Sequence, residues 1–226
     1  MKWNNKKFKK LLLKYFKFLN NFKSISVYMN ENVNKIKPRL RIIFPKNFIF
    51  HSLGIQYCTK LRYRYKNKIE DFVKDLINDQ INFDEIFKNI KKPNINKFLK
   101  KLLALKIFLE ITDNHNAKYN NVFSGFDFFK IKPSFDINGT YNHSQLLLAS
   151  KLDKNNKRCV IYGILNNLYG LNNKNDFFYN ENKQIINSVF VPISLKYQND
   201  KSINKMNSMK ISYCFLNNKN GVQPHY

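Results

Sequence analysis

The sequence predicts an α+β fold with a helical middle, short β-strands and a basic N-terminal extension. Residues 1–66 contain thirteen Lys, four Arg and one acid, Glu31, which gives a net charge of +16, against +25 for the whole chain. Hydrophobic residues make up 43% of the 226 residues and aromatic residues 15%, so a buried core is expected and a disordered tail is not. We therefore divide the chain into the basic residues 1–66 and a mixed α+β globular region, residues 67–226.

Residues 5–23 have the spacing of an amphipathic helix. Their large apolar residues recur every three or four positions: Phe8, Leu12, Tyr15, Leu19 and Phe22. The lysines lie mainly off this stripe: Lys6, Lys7, Lys10, Lys14 and Lys17. We expect a basic helix that lies on phosphate groups, with its apolar side on a partner. The alternative is an ordinary surface helix with a solvated lysine face.

Residues 24–66 show no helical period. Apolar clusters at residues 42–44 and 48–50 suggest short strands interrupted by Pro38 and Pro45. Residues 55–65 alternate large and basic side chains, which predicts a strand with an aromatic face and a basic face. The aromatic face would carry Tyr57, Thr59, Leu61, Tyr63 and Tyr65, and the basic face Cys58, Lys60, Arg62 and Arg64.

The globular region mixes both periods. Residues 68–91 predict one or two amphipathic helices with Asp84 near a cap, and residues 95–111 predict the clearest helix of the chain. Short strands or an ordered loop are expected around residues 123–131, and helices at 144–151 and 157–169. Apolar strands are expected at residues 185–197 and 209–216.

Catalytic and metal-binding patterns are missing from the sequence. It contains no phosphate-binding loop, nucleophile elbow or metalloprotease motif, and none of its four His has a second ligand at metal spacing. Its three Cys are widely separated, so neither a zinc site nor a disulfide framework is indicated. Asp71, Asp75 and Asp79 would line one helix face, where we expect them to pair with basic side chains rather than hold a metal. No cofactor, small-molecule substrate or transmembrane segment is predicted, and the chain is not expected to be an enzyme.

The basic positions are the functional candidates. Guanidinium groups fit phosphate oxygens, tyrosines can stack on bases, and lysines add attraction to phosphate that does not depend on direction. The alternatives are ordinary surface charge for the arginines and a place in a strand core for the tyrosines. The predicted RNA-binding residues are Arg39, Arg41, Arg62, Arg64, Lys6, Lys7, Lys10, Lys14, Lys17, Lys60, Tyr57, Tyr63 and Tyr65.

Residue usage suggests an A/T-rich genome, because Asn, Lys and Ile abound while Ala, Gly and Arg are few. Codon bias inflates Lys, but it does not explain the lack of acids in residues 1–66. With this basic segment, the runs PRLR at 38–41 and LRYRY at 61–65, and no active-site motif, the chain resembles organelle-encoded mitochondrial ribosomal proteins as a class.

That resemblance implies a structural role on ribosomal RNA in the mitochondrial matrix, with neighbouring ribosomal proteins as further partners. A peripheral accessory subunit of a respiratory-chain complex is the alternative, because the helix at 5–23 could lie on a membrane with Phe and Leu inserted. A nucleic-acid-processing enzyme is a third possibility, which would need clustered carboxylates or histidines.

Overall fold

The structure, a computed structural model, describes residues 2–21, 24–30, 39–45, 48–119, 125–130, 134–135, 141–142, 146–165, 178–179, 185–199 and 208–216. Within these ranges both helices and a mixed sheet occur, which confirms the α+β class. The helices are α1 (Asn5–Asn21), α2 (Phe48–Ser52), α3 (Thr59–Arg64), α4 (Ile69–Ile77), α5 (Phe83–Lys88) and α6 (Lys92–Tyr119), with a 3₁₀ turn at Ile55–Tyr57 between α2 and α3. The strands are β1 (Ser24–Asn30), β2 (Arg39–Ile43), β3 (Phe126–Lys130), β4 (Ser134–Phe135), β5 (Tyr141–Asn142), β6 (Leu146–Ser150), β7 (Arg158–Leu165), β8 (Phe178–Tyr179), β9 (Ile185–Gln198) and β10 (Ser208–Leu216).

The predicted helices with a clear 3.6-residue period are confirmed. Residues 68–91 form two helices, α4 and α5, and the side chain of Asn82 caps α5 by accepting a hydrogen bond from the Glu85 backbone N–H at 2.9 Å. Asp84 lies in the first turn of α5, where its charge complements the helix dipole. The long helix α6 begins at Lys92 with Pro93 in its first turn, a position that tolerates the missing N–H of proline.

Eight of the described strands form one mixed sheet in the order β2-β1-β10-β3-β6-β7-β9-β8. Most neighbours are antiparallel, but β2 also pairs in parallel with the first part of β9, from Arg39 beside Asn187 to Ile42 beside Phe190. This pairing joins two strands that are far apart in the order, so the sheet curls and closes on itself. Strands β4 and β5 form a separate two-stranded ladder.

Two predicted helices are wrong. Residues 144–151 and 157–169 contain the strands β6 and β7, which pair with each other in the middle of the sheet. Both faces of these strands are buried, so their apolar residues run on without alternation, and such a run cannot be distinguished from a buried helix by its period. The opposite error occurs at residues 48–50, which belong to the helix α2 and not to a strand.

The helices cover one face of the sheet. One large cluster joins buried residues of α1 to α6 with sheet residues such as Phe128, Ile161 and Leu195, and α6 is the helix that lies closest along β9. Phe129, Leu147, Ala149 and Val160 form a second cluster on the opposite face. Residues on both sides of position 66 share the first cluster, so the division of the chain at residue 66 remains a division by charge.

Candidate nucleic-acid interface

Helix α1 has a buried inner side that anchors it to the rest of the molecule. The ring of Phe18 makes edge contacts with Phe44 and Phe108, with centroids 5.2 and 4.9 Å apart. The hydroxyl of Tyr15 accepts a hydrogen bond from Ser52 Oγ at 2.9 Å, and burial raises the pKa of Tyr15. The inner side is formed by Phe8, Leu11, Leu12, Tyr15 and Phe18.

The outward side of α1 is a row of lysines, which we call the outer ridge. It consists of Lys6, Lys10, Leu13 and Lys17, which are four, three and four positions apart and therefore lie in line along the helix. All four are exposed, and Leu13 is 59% accessible. In the part of the chain that the structure describes, no acidic side chain pairs with these three lysines.

Two of the lysines that flank the outer ridge are paired with acids. Lys9 forms an ion pair with Asp79, at the turn that follows α4, and Lys14 with Asp113 on α6 at 2.8 Å. The predicted site residue Lys14 is therefore exposed but paired. Lys7, also exposed, donates its Nζ to the backbone oxygen of Lys2 at 2.9 Å.

The N-terminal end of α1 is held in register by two asparagines. Asn4 caps the helix, because its Oδ1 accepts from the Lys7 backbone N–H at 3.0 Å. Asn5 donates its Nδ2 to Asp84 Oδ2 at 2.6 Å and accepts from the Asp84 backbone N–H at 3.2 Å. These bonds and the buried inner side fix which residues of α1 face outward. The position of the outer ridge is therefore set by the tertiary structure.

The strand predicted at residues 55–65 is wrong, because these residues form the 3₁₀ turn followed by α3. Ile55, Cys58, Leu61 and Tyr65 are buried, and their spacing of three, three and four is that of a helix. The alternation of large and basic residues concealed this period. Lys60, Arg62, Tyr63 and Arg64 are exposed on the outward sides of α3.

The three candidate tyrosines consequently have different environments. Tyr65 is buried, Tyr57 is half-buried, and Tyr63 is exposed. Burial raises the pKa of Tyr57 and raises that of Tyr65 to about 12; in Tyr65 the hydrogen bond that its hydroxyl donates to Asp75 acts in the same direction. A single aromatic face made of all three residues is thus excluded.

Asp71 and Asp75 lie on α4, whereas Asp79 lies in the turn after it, so the expected row of three acids on one helix face is wrong for Asp79. Two of these acids contact the basic helices. Asp79 pairs with Lys9 of α1, and Asp75 lies 3.7 Å from the guanidinium of Arg64, which also sits 5.0 Å from the centroid of the Tyr65 ring. The expectation that these carboxylates pair with basic side chains is therefore confirmed for Asp75 and Asp79. Arg64 is held in place and partly neutralised, whereas Arg62 has no acidic partner among the described residues.

Lys101 is a buried cation that sequence reasoning missed. It is 7% exposed, and its Nζ donates to Ser194 Oγ at 2.8 Å and to the Leu195 backbone oxygen at 2.7 Å. Burial, and then the charge of Lys196, lower its pKa to about 8. Its position between Phe98 and Leu105 on the apolar stripe of α6 is the pattern that could have revealed it.

Positive charges accumulate where α2, α3 and α6 approach one another. The pKa of His51 is lowered, chiefly by burial and then by the charges of Lys101 and Arg62. Gly54, at φ 72°, makes this close approach possible, because a Cβ there would lie 3.1 Å from the Phe98 ring and 3.2 Å from Lys101 Cβ. Arg62 and Lys101, two cations from different helices, therefore both act on His51.

Other predicted arginines lie on the sheet. Arg39 and Arg41 belong to β2, where Arg41 pairs with Ser26 of β1 and Val189 of β9, but their side chains lie outside the described residues. The fifth arginine, Arg158, was not among the predicted site residues, and its guanidinium lies 6.0 Å from the centroid of the Phe129 ring. Arginine is rare in this chain, and that rarity is the pattern that could have drawn attention to Arg158.

The described residues contain no group of three His, Cys, Asp or Glu side chains that could hold a metal ion. Cys58 and Cys159 are buried free thiols, and burial raises the pKa of each. The side chain of Cys214 lies outside the described residues. None of the helices that the structure describes is long and apolar enough to span a membrane.

The arrangement can bind a polyanion. Exposed cations occur on one side of α1 and around α3, and both helices are held by buried contacts. Comparison with protein-family models, with curated proteins and with solved structures finds no match for this chain.

Proposed function

We propose that this chain binds RNA as a structural component of a mitochondrial ribosome, and that α1 and α3 contact the RNA. The observation that carries the proposal is the outer ridge: Lys6, Lys10 and Lys17 stand in a row without acidic partners among the described residues, on a helix whose other side is buried. Along the helix, Lys6 and Lys10 are about 6 Å apart and Lys10 and Lys17 about 10–11 Å apart, so one phosphate backbone can engage several of them. Each phosphate contact releases counterions, which favours binding at low salt.

The buried inner side of α1 also bears on the respiratory-chain alternative. That alternative required Phe and Leu of this helix to insert into a membrane, but Phe8, Leu12 and Phe18 are 2–4% exposed and pack inside the protein. The outward side of α1 keeps one large apolar residue, Leu13, among its lysines. This distribution favours phosphate groups over lipid chains as the partner of α1.

The ribosomal part of the proposal is supported by the composition of the whole chain. The net charge of +25 and the concentration of basic residues before position 67 are typical of proteins that assemble on ribosomal RNA. Residues 67–115 carry nine Lys and eight acids, so their balance is close to neutral. That region suits contact with neighbouring ribosomal proteins rather than with RNA.

Two experiments test the two levels of this proposal. For RNA binding, the affinity of the full chain for RNA is measured over a series of salt concentrations, and we expect a steep loss as salt rises. Affinity that does not depend on salt would contradict binding through phosphate contacts. For the ribosomal assignment, mitochondrial particles are separated on a sucrose gradient and probed for this chain. Co-migration with respiratory complexes and not with ribosomal RNA would overturn that assignment while leaving RNA binding open to the first experiment.

A further inference from the structure

Tyr63 is an unusual surface residue. Its side chain is 74% accessible, whereas every other large hydrophobic residue that is exposed in the described ranges is aliphatic: Leu13, Ile77 and Leu152. Leu61 and Tyr65, two positions before and after Tyr63, are both 3% exposed and anchor the helix. Tyr63 therefore projects from a fixed base.

Cations surround Tyr63 on the outward sides of α3. Lys60 lies one turn earlier on the same side, and Arg62 and Arg64 occupy the two flanks. No acid occurs between residues 59 and 66. Arg64 is positioned by Asp75 and by the Tyr65 ring, while Arg62 is without an acidic partner among the described residues. An aromatic ring at the centre of this group is placed to receive a flat group that carries negative charge beside it.

A nucleotide has this combination of a flat base and a charged phosphate. In a duplex, each base is already stacked between its neighbours, so its face is not available to a side chain. An unpaired base can instead stack on an aromatic ring, while basic residues hold the adjacent phosphates. We propose that Tyr63 stacks on an unpaired base of RNA and that Lys60 and Arg62 contact the neighbouring phosphates, so that the ligand of α3 is a single strand, loop or bulge. This inference rests on the proposed RNA binding and adds the class of RNA.

The test compares two RNA probes of about twelve nucleotides, a single strand and a perfect duplex, each titrated with the full chain. The variants are Tyr63→Leu, which keeps apolar area but removes the aromatic face, and Tyr63→Phe, which keeps the face. Leu152→Ala is the matched control, because it removes an exposed apolar side chain from the loop between β6 and β7. Thermal unfolding of each variant checks the fold, which the loss of a side chain as exposed as Tyr63 should not disturb.

We expect Tyr63→Leu to weaken single-strand binding about fivefold or more and duplex binding less than twofold, because stacking contributes to the single strand alone. Tyr63→Phe and Leu152→Ala should leave both affinities within about twofold. A 2-aminopurine in the single strand should lose part of its fluorescence on binding the wild type and less on binding Tyr63→Leu.

Three results would overturn the inference. If Tyr63→Leu binds the single strand as tightly as the wild type, no base stacks on Tyr63, although salt-dependent binding of the wild type would leave the proposed function standing. If the two probes lose affinity equally, the ligand class is wrong. If RNA binding is unchanged but Tyr63→Leu no longer assembles into the particle, Tyr63 contacts a neighbouring protein. Failure of the wild type to bind either probe would instead reject the proposed function itself.

Discussion

Helix α1 and the segment 55–65 are both basic, but they differ in which of their cations are paired with acids. On α1, Lys9 and Lys14 are paired with Asp79 and Asp113, whereas the three lysines of the outer ridge have no acidic partner among the described residues. Around α3, Arg64 is held by Asp75, while Arg62 and Lys101 raise the local positive potential and have no acidic partner among the described residues. A basic segment therefore cannot be treated as one uniform patch, because acids from other elements decide which cations remain free.

The largest expected effect tests whether both segments belong to the core. Phe18→Ala on α1 should lower the free energy of unfolding by about 3–5 kcal/mol, because its ring contacts Phe44 and Phe108. Leu61→Ala on α3 should lower it by about 2–4 kcal/mol. Urea unfolding measures both values, with the exposed Leu13→Ala as the control, expected within about 0.5 kcal/mol of the wild type. A small effect of Phe18→Ala would show that α1 is not held by the core.

The next prediction concerns Lys101, the buried cation of α6. The pKa of Lys101 is about 8 in the folded chain and 10.5 as its ordinary value, so between these values the unfolded chain binds more protons. Stability should therefore rise with pH through this interval, by about 3 kcal/mol in all from this group. Chemical unfolding over this pH range should show a smaller rise for Lys101→Met, in which the titrating group is absent. If the free energy of unfolding rises equally with pH in the wild type and in Lys101→Met, Lys101 does not cause the rise.

Replacement of the unpaired lysines of α1 should weaken RNA binding more than replacement of its paired lysines. The variant Lys6→Gln/Lys10→Gln/Lys17→Gln should bind single-stranded RNA about tenfold more weakly, and the slope of log affinity against log salt should become shallower by about 2. The control Lys9→Gln/Lys14→Gln removes two lysines that are paired with acids. We expect a smaller change in its slope, and equal changes per lysine in both variants would mean that the acids do not select the binding residues.

The smallest effect is expected for the tyrosine that turned out to be buried. Tyr65→Phe removes the hydrogen bond to Asp75 and should lower the free energy of unfolding by about 1 kcal/mol, because Arg64 still pairs with Asp75. Its RNA affinity should equal that of the wild type, in contrast to Tyr63→Leu. Thermal unfolding and RNA titration together check the distinction between Tyr63 and Tyr65. If Tyr65→Phe loses RNA affinity without losing stability, Tyr65 contacts the RNA and the distinction is wrong.

Residues with a single clear period were predictable. The apolar residues of α1 and α6 recur every three or four positions, and the exposure of Lys6, Lys10 and Lys17 follows from the same spacing. The apolar runs of β9 and β10 were long enough to identify as strands. In these elements one local pattern was compatible with one structure only.

Other residues carried two patterns at once. Residues 55–65 alternate like a strand and also place Ile55, Cys58, Leu61 and Tyr65 at helical spacing, so neighbouring elements had to select between the two. β6 and β7 have apolar residues on both faces, because helices cover one face and the closed sheet encloses the other. Local preference is weak in such segments, and burial against distant parts of the chain prevails.

The amino-acid sequence alone determines the excess of positive charge, the α+β class and the basic character of α1 and α3. These properties depend only on composition and on the short-range spacing of residues. Which of the cations remain unpaired is decided by the tertiary structure, because it depends on acids that lie far away in the chain, such as Asp79 beside Lys9 and Asp113 beside Lys14. The same holds for the tyrosines: packing against α4 buried Tyr65 and left Tyr63 exposed. Charge is a property of each residue, whereas its availability to a partner depends on which side chains the fold brings close to it.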